Sequence, residues 1–158
     1  MTVTAVPEVT VSRRDEQPTL AVRTRVDVRV LPVVVGSLIQ EVHHHLRELG
    51  EQPAGAPYGV FSGPDEHGTM AVEIGWPTTR PLPTRGRVEQ HVRPAGRYAE
   101  TVHLGPYQEL DEAWFTALDE QLRTIGLEPI GDPIEVYESD PGVGPPEEIR
   151  TTVLVPVR

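Results

Sequence analysis

Leu110, Trp114, Leu118, Leu122 and Ile125 recur at spacings of three and four in a run bounded by Gly105-Pro106 and Gly126. That spacing puts them on one stripe of a helix, with Pro106 near the first turn, where a missing N–H costs nothing, and Gly126 as the stop. The segment that follows, Ile134-Glu135-Val136-Tyr137, alternates apolar and polar as a half-covered strand does. If Ile134 and Val136 pack under the helix, Glu135 and Tyr137 face outward together, away from the core. A second stripe of Leu31, Val35, Leu38, Val42, Leu46 and Leu49 opens at Leu31-Pro32 and closes at Gly50. Strands are predicted around Val9 and Val11, over 20–28, 58–61 and 70–76, around 87–92, and over 149–157. Another is predicted with Tyr98, Glu100, Val102 and Leu104 along one face, and 140–146 reads as a loop.

The element order is strand-strand-helix-strand-strand, twice. The two helix-ending glycines differ by 126 − 50 = 76 positions, and adding 76 carries Leu38 to Trp114, Val42 to Leu118, Leu46 to Leu122, Val26 to Val102 and Phe61 to Tyr137. The pattern predicts an α+β domain built from a duplicated strand-helix-strand-strand module. Its pseudo-twofold, largely antiparallel sheet carries both helices on one face and a ligand cleft on the other. The half-repeats cover about 8–76 and 86–158, joined by a linker at 77–86 rich in Pro, Thr and Arg, the whole forming a single domain over 1–158. The repeat breaks at one informative place, where Gly59 corresponds to Glu135. A missing side chain opposite a carboxylate leaves room for something to sit beside it.

Composition narrows the function classes. The formal net charge of −10, with no lysine and scattered arginines, argues against a partner held through nucleic-acid phosphates. With no cysteine, disulfides and thiolate chemistry are excluded. Met1 to Pro7 lacks a basic, apolar leader, and no stretch reaches the ~20 apolar residues of a membrane span, so a cytoplasmic location is expected. His43-His44-His45 cannot converge on one ion, because successive helical residues point about 100° apart. A solvated helix face is expected there, and neither a metal nor a cofactor is. No phosphate loop or nucleophile elbow occurs. Trp114 is expected in the helix core, Trp76 at a rim, and His103 in a structural role with a hydrogen bond available to the cleft.

The run His103-Leu104-Gly105-Pro106-Tyr107, then Leu110, Ala113 and Trp114, Gly126-Leu127, Glu135-Val136-Tyr137, Asp140-Pro141 and Pro146 to Thr151 resembles the GyrI-like small-molecule-binding family. That family includes gyrase-inhibitor proteins and the effector domains of AraC-type and MerR-type multidrug-sensing regulators in bacteria. The resemblance implies a cleft that takes bulky, often cationic aromatic compounds by stacking and one acidic residue. The family's strand glutamate falls on Glu135, the aromatic of its Gly-Pro-Tyr turn on Tyr107, and the position two beyond the glutamate on Tyr137. Phe61, paired with Tyr137 by the repeat, and Trp114 complete the expected walls. A delocalised cation would offset the cost of an unpaired carboxylate by charge and cation–π contact.

The few residues ahead of the domain hold no helix-turn-helix, so direct nucleic-acid binding is not expected. Two alternatives use the same chain. Some family members are reported to hydrolyse cyclopropane-containing drugs, and Glu135 would then be a catalytic base. A gyrase-inhibitor-type module would instead meet a basic protein partner through its acidic surface.

Overall fold

The computed structural model describes residues 8–139 and 143–158. The N-terminal 1–7 and the Asp140-Pro141 pair of the motif lie outside the described residues, as does Gly142. The order is β1 (Thr10–Arg14), β2 (Gln17–Asp27), α1 (Leu31–Glu48), β3 (Tyr58–Ser62), β4 (Thr69–Pro77), β5 (Glu89–Arg93), β6 (Gly96–Leu104), α2 (Glu112–Thr124), β7 (Ile134–Tyr137) and β8 (Arg150–Pro156). The chain forms two compact units, Asp15–Ala95 on one hand and the chain up to Arg14 with Gly96–Arg158 on the other. Both have an α+β fold in which antiparallel strands carry one long helix. Among the described residues no helix is long and apolar enough to cross a membrane.

In the unit 15–95 the strands run β5-β2-β4-β3. Leu20, Val22 and Val26 of β2, Val72 and Ile74 of β4, and Leu38, Val42 and Leu46 of α1 make its core. Residues 77–86, read as a linker, are packed in this unit: Thr78 and Leu82 are buried, Leu82 in the α1 core. Trp76, expected at a rim, packs against the same core and donates its Nε1–H to the carbonyl of Ile39 at 2.9 Å. The histidine run is not a solvated face. His45 is only 5% exposed, with Nε2 3.2 Å from the Pro83 carbonyl, and His43 lies against Trp76 with ring centroids 5.0 Å apart. His44 alone of the three is exposed, pairing with Glu48 at 2.9 Å.

In the other unit the order is β1-β6-β8-β7. Trp114, Leu118 and Leu122 of α2 pack on Ala99 of β6 and Val153 and Val155 of β8. The helix begins later than the proline signal predicts. Pro106 precedes a single 3-10 turn at Tyr107–Glu109, and Asp111 caps α2 by accepting the Trp114 N–H at 2.9 Å. Ile125 is 54% exposed because α2 has already ended at Thr124. Both helices close on the predicted glycines with matching hydrogen bonds: Gly50 to Arg47 and Glu51 to Leu46, and Gly126 to Arg123 and Leu127 to Leu122.

The registers refine the repeat. Tyr58↔Gly75 in β3/β4 corresponds to Ile134↔Leu154 in β7/β8, so β3 maps to β7 by 76 but β4 maps to β8 by 79. Leu20↔Trp76 likewise becomes Ala99↔Val155, 79 apart in both strands. Because three is odd, the β6 residues that face α2 are odd-numbered, whereas the β2 residues that face α1 are even-numbered. Ala99, Thr101 and His103 are the buried residues on the α2 side, and Leu104 is exposed. β1 and β5 obey the larger offset too, since Thr10↔Glu100 corresponds to Glu89↔Ala21. Each first strand therefore pairs with the second strand of the other repeat.

Candidate functional site

Glu135 and Tyr137 share a face, as the alternation predicts, but it is the opposite one. Glu135 is paired with Val153 and Tyr137 with Thr151, and directly paired residues of an antiparallel ladder point the same way. Val153 lies in the α2 core, so the carboxylate and the phenol are on the helix side of the sheet. Ile134 and Val136, expected beneath the helix, pair with Leu154 and Thr152 on the other side. The first repeat has the same arrangement, since Gly59 and Phe61, 76 positions earlier, pair with Ile74 and Val72 of the α1 core.

On that face Tyr137 donates its hydroxyl to Glu135 Oε1 over a long 3.4 Å. Tyr107, carried in by the 3-10 turn before α2, meets Tyr137 edge to face, with ring centroids 5.6 Å apart and planes at 88°. Glu135, Tyr137 and Tyr107 are each half-buried. Burial pushes the Glu135 carboxyl up from 4.5 to about 7, the Tyr137 hydroxyl offsetting this only in part. Burial, then the Glu135 charge, raises both tyrosines, Tyr137 well above its ordinary value. Among the described residues no basic side chain pairs with Glu135.

The other two expected wall residues pack against the helix cores. Trp114 is 3% exposed in the α2 core, edge-on to His103 and Phe115 at 5.8 and 5.0 Å. Phe61 belongs to the unit 15–95 and packs against the α1 core. His103, by contrast, sits on the same face as Glu135, with Nε2 3.1 Å from Glu109 Oε1. Thr151 stands between His103 and Tyr137, paired with one across β6/β8 and with the other across β7/β8. Its parity with Val153 and Val155 was the available signal that it belongs to the buried face. No group of three or more acidic or histidine side chains suited to a metal occurs among the described residues.

A carboxyl raised by burial to about 7 beside a pair of phenols has the chemistry to serve as a counter-charge for an organic cation or as an acid–base group. Residues 7–158 match the family model of the GyrI-like small molecule binding domain. The chain belongs to this family. Among solved structures, this GyrI-like domain is similar to the C-terminal domain of EcmrR, with a TM-score of 0.81 and 18% identity over 96% of this chain and 97% of that one. Against EcmrR in its DNA complex the TM-score and identity are the same, but the chain spans only 57% of that protein. A hydrolase from Listeria innocua matches at a TM-score of 0.65 with 17% identity, covering 98% of this chain and 94% of its own. SAV2435 bound to tetraphenylphosphonium matches at 0.62 with 10% identity, covering 96% and 94%. At these identities the likeness is one of fold. No curated protein matches the chain.

Proposed function

We propose that this GyrI-like domain binds hydrophobic, cationic or polyaromatic small molecules at Glu135, as a cytoplasmic sink or sensor that makes no direct contact with nucleic acid. The observation that carries the reading is the half-buried Glu135 carboxyl, raised to about 7 and unpaired with any base among the described residues, beside Tyr107 and Tyr137. A desolvated carboxylate without a cation is unfavourable, and a lipophilic cation that brings its own charge and π surface relieves it. The SAV2435 structure, of the same fold, holds such a cation. Glu135 supplies the charge and Tyr107 and Tyr137 the stacking surface; Trp114 supports them from the core, and Phe61 has a place in the site only through the repeat.

The test is a fluorescence titration with a lipophilic cationic dye, run on wild type and Glu135→Gln, with the mass of the recovered dye measured. Micromolar binding, weakened roughly tenfold or more in the variant, with the dye intact, is the expected result. Equal affinity in the two proteins would remove Glu135 from the reading.

A second reading is hydrolysis with Glu135 as general base, favoured by a carboxyl poised near 7, the range in which such a group works best at neutral pH. A changed dye mass that depends on Glu135 would put this reading first. Failure of every cation to bind would leave a protein partner as the object of search.

A further inference from the structure

One row of side chains crosses β6, β8 and β7 on the α2 face: His103, Thr151 and Tyr137, with Glu135 two residues along from Tyr137. Thr151 is 0% exposed and the His103 side chain 8%, yet Thr151 Oγ1 and His103 Nδ1 are buried without a hydrogen-bond partner among the described residues. Burying an unmet donor or acceptor is costly, and native cores avoid it. The two atoms stand on directly paired residues, Thr151 on the strand beside that of Glu135 and His103 on the next one along.

We propose that His103 and Thr151 form a hydrogen-bonding subsite beside Glu135, selecting organic cations that carry a hydroxyl group. The inference rests on the reading of Glu135 as a cation site. The chemistry follows from the tautomer. Glu109 Oε1 can only accept from His103 Nε2, so the neutral ring carries its proton there and presents a lone pair at Nδ1. Thr151 supplies a hydroxyl donor next to it. A ligand hydroxyl donates to Nδ1 and accepts from Thr151 at the same time; a hydrocarbon arm does neither. Thr151 and Glu135 stand diagonally across β7/β8, positions that lie about 7–8 Å apart in such a ladder, within the span of one substituted phenyl arm. Glu109 is a positioning residue, and Gly105 lets it reach His103, because a Cβ there would run into the Glu109 carboxylate.

The test compares tetraphenylphosphonium with [4-(hydroxymethyl)phenyl]triphenylphosphonium, equal in charge and differing by one hydroxymethyl arm, by calorimetric titration. Wild type is expected to bind the alcohol roughly tenfold more tightly. The ratio should fall to within about twofold in Thr151→Val and in His103→Phe, and persist in Thr151→Ser. Thr151→Val should melt at or above wild type, since a methyl replaces an unmet hydroxyl. A wild-type ratio near one, a ratio surviving Thr151→Val, or a marked loss of melting temperature in that variant would each overturn the subsite. If tetraphenylphosphonium binds and depends on Glu135 while the alcohol gains nothing, the subsite alone falls. If neither cation binds, the cation site falls with it.

Discussion

Exchanging Glu135 for Gln should stabilise the ligand-free protein at alkaline pH and not at acid pH. The folded state holds the Glu135 proton up to about 7, whereas the unfolded chain releases it near 4.5. Folded protein therefore binds more protons between these values, and the stability that this group leaves intact below 4.5 is lost as pH rises toward and through 7. Integrated over that window, the ionised carboxylate costs the fold about 3 kcal/mol at pH 8. Gln has the same shape and no charge, but its amide must find partners, which takes back about 1 kcal/mol. The net gain of about 2 kcal/mol at pH 8 corresponds to a melting temperature raised by about 4–8 °C for a chain of this size. Thermal melts of both proteins at half-unit steps from pH 4.5 to 8.5 read this directly, because every other titrating group is common to the two and cancels in the difference. A difference that does not change with pH, or a variant less stable at pH 8 than wild type, would refute the placing of Glu135 in a dry environment.

The same proton makes cation affinity depend on pH. Binding should strengthen about tenfold per pH unit below 7 and level off above it, by titration in buffers from pH 5 to 8.5, because only the ionised carboxylate attracts the ligand. In the unit 15–95, Tyr58 is buried and donates to Glu73 at 2.6 Å, with Thr19 Oγ1 at 3.1 Å. Tyr58→Phe should cost about 1–3 kcal/mol in urea unfolding, the hydrogen bond being charge-assisted. Leu118→Ala, in the α2 core, should cost about 2–5 kcal/mol in the same assay. Gly126→Ala should cost about 1 kcal/mol, from the backbone alone, because φ is +83° while a Cβ there meets nothing within 4 Å.

The helices were legible because three- and four-residue spacing and a closing glycine are local signals, and α1 and α2 end at Glu48 and Thr124, one repeat of 76 apart. Strand faces were not. Tyr98, Glu100, Val102 and Leu104 do share one face of β6, but Tyr98 and its neighbour Ala99 are both buried, so alternation does not say which face meets α2. The true face is fixed by pairing of β6 with β8, about fifty residues away, which no local pattern encodes. Glu135, Tyr107 and Tyr137 were named from the resemblance and from parity, and Tyr107 meets Tyr137 only because Asp111 delays α2 and leaves a short turn before it. Parity could put Thr151 on the buried face, but nothing in the sequence marks it or Glu109 as partners of His103, since those contacts exist only once His103 is paired with one and reached by the other.

The crossed pairing of β1 with β6 and β5 with β2 bears on how such a chain arises. One repeat standing alone would have its first strand directed at a sheet it does not contain, leaving both that strand and the edge of its own sheet open. Two copies lending each other a strand satisfy both edges at once, in the manner of a swapped homodimer. Joining the copies into one polypeptide keeps the exchange while letting the halves differ, so that one carries a carboxylate at Glu135 where the other has Gly59.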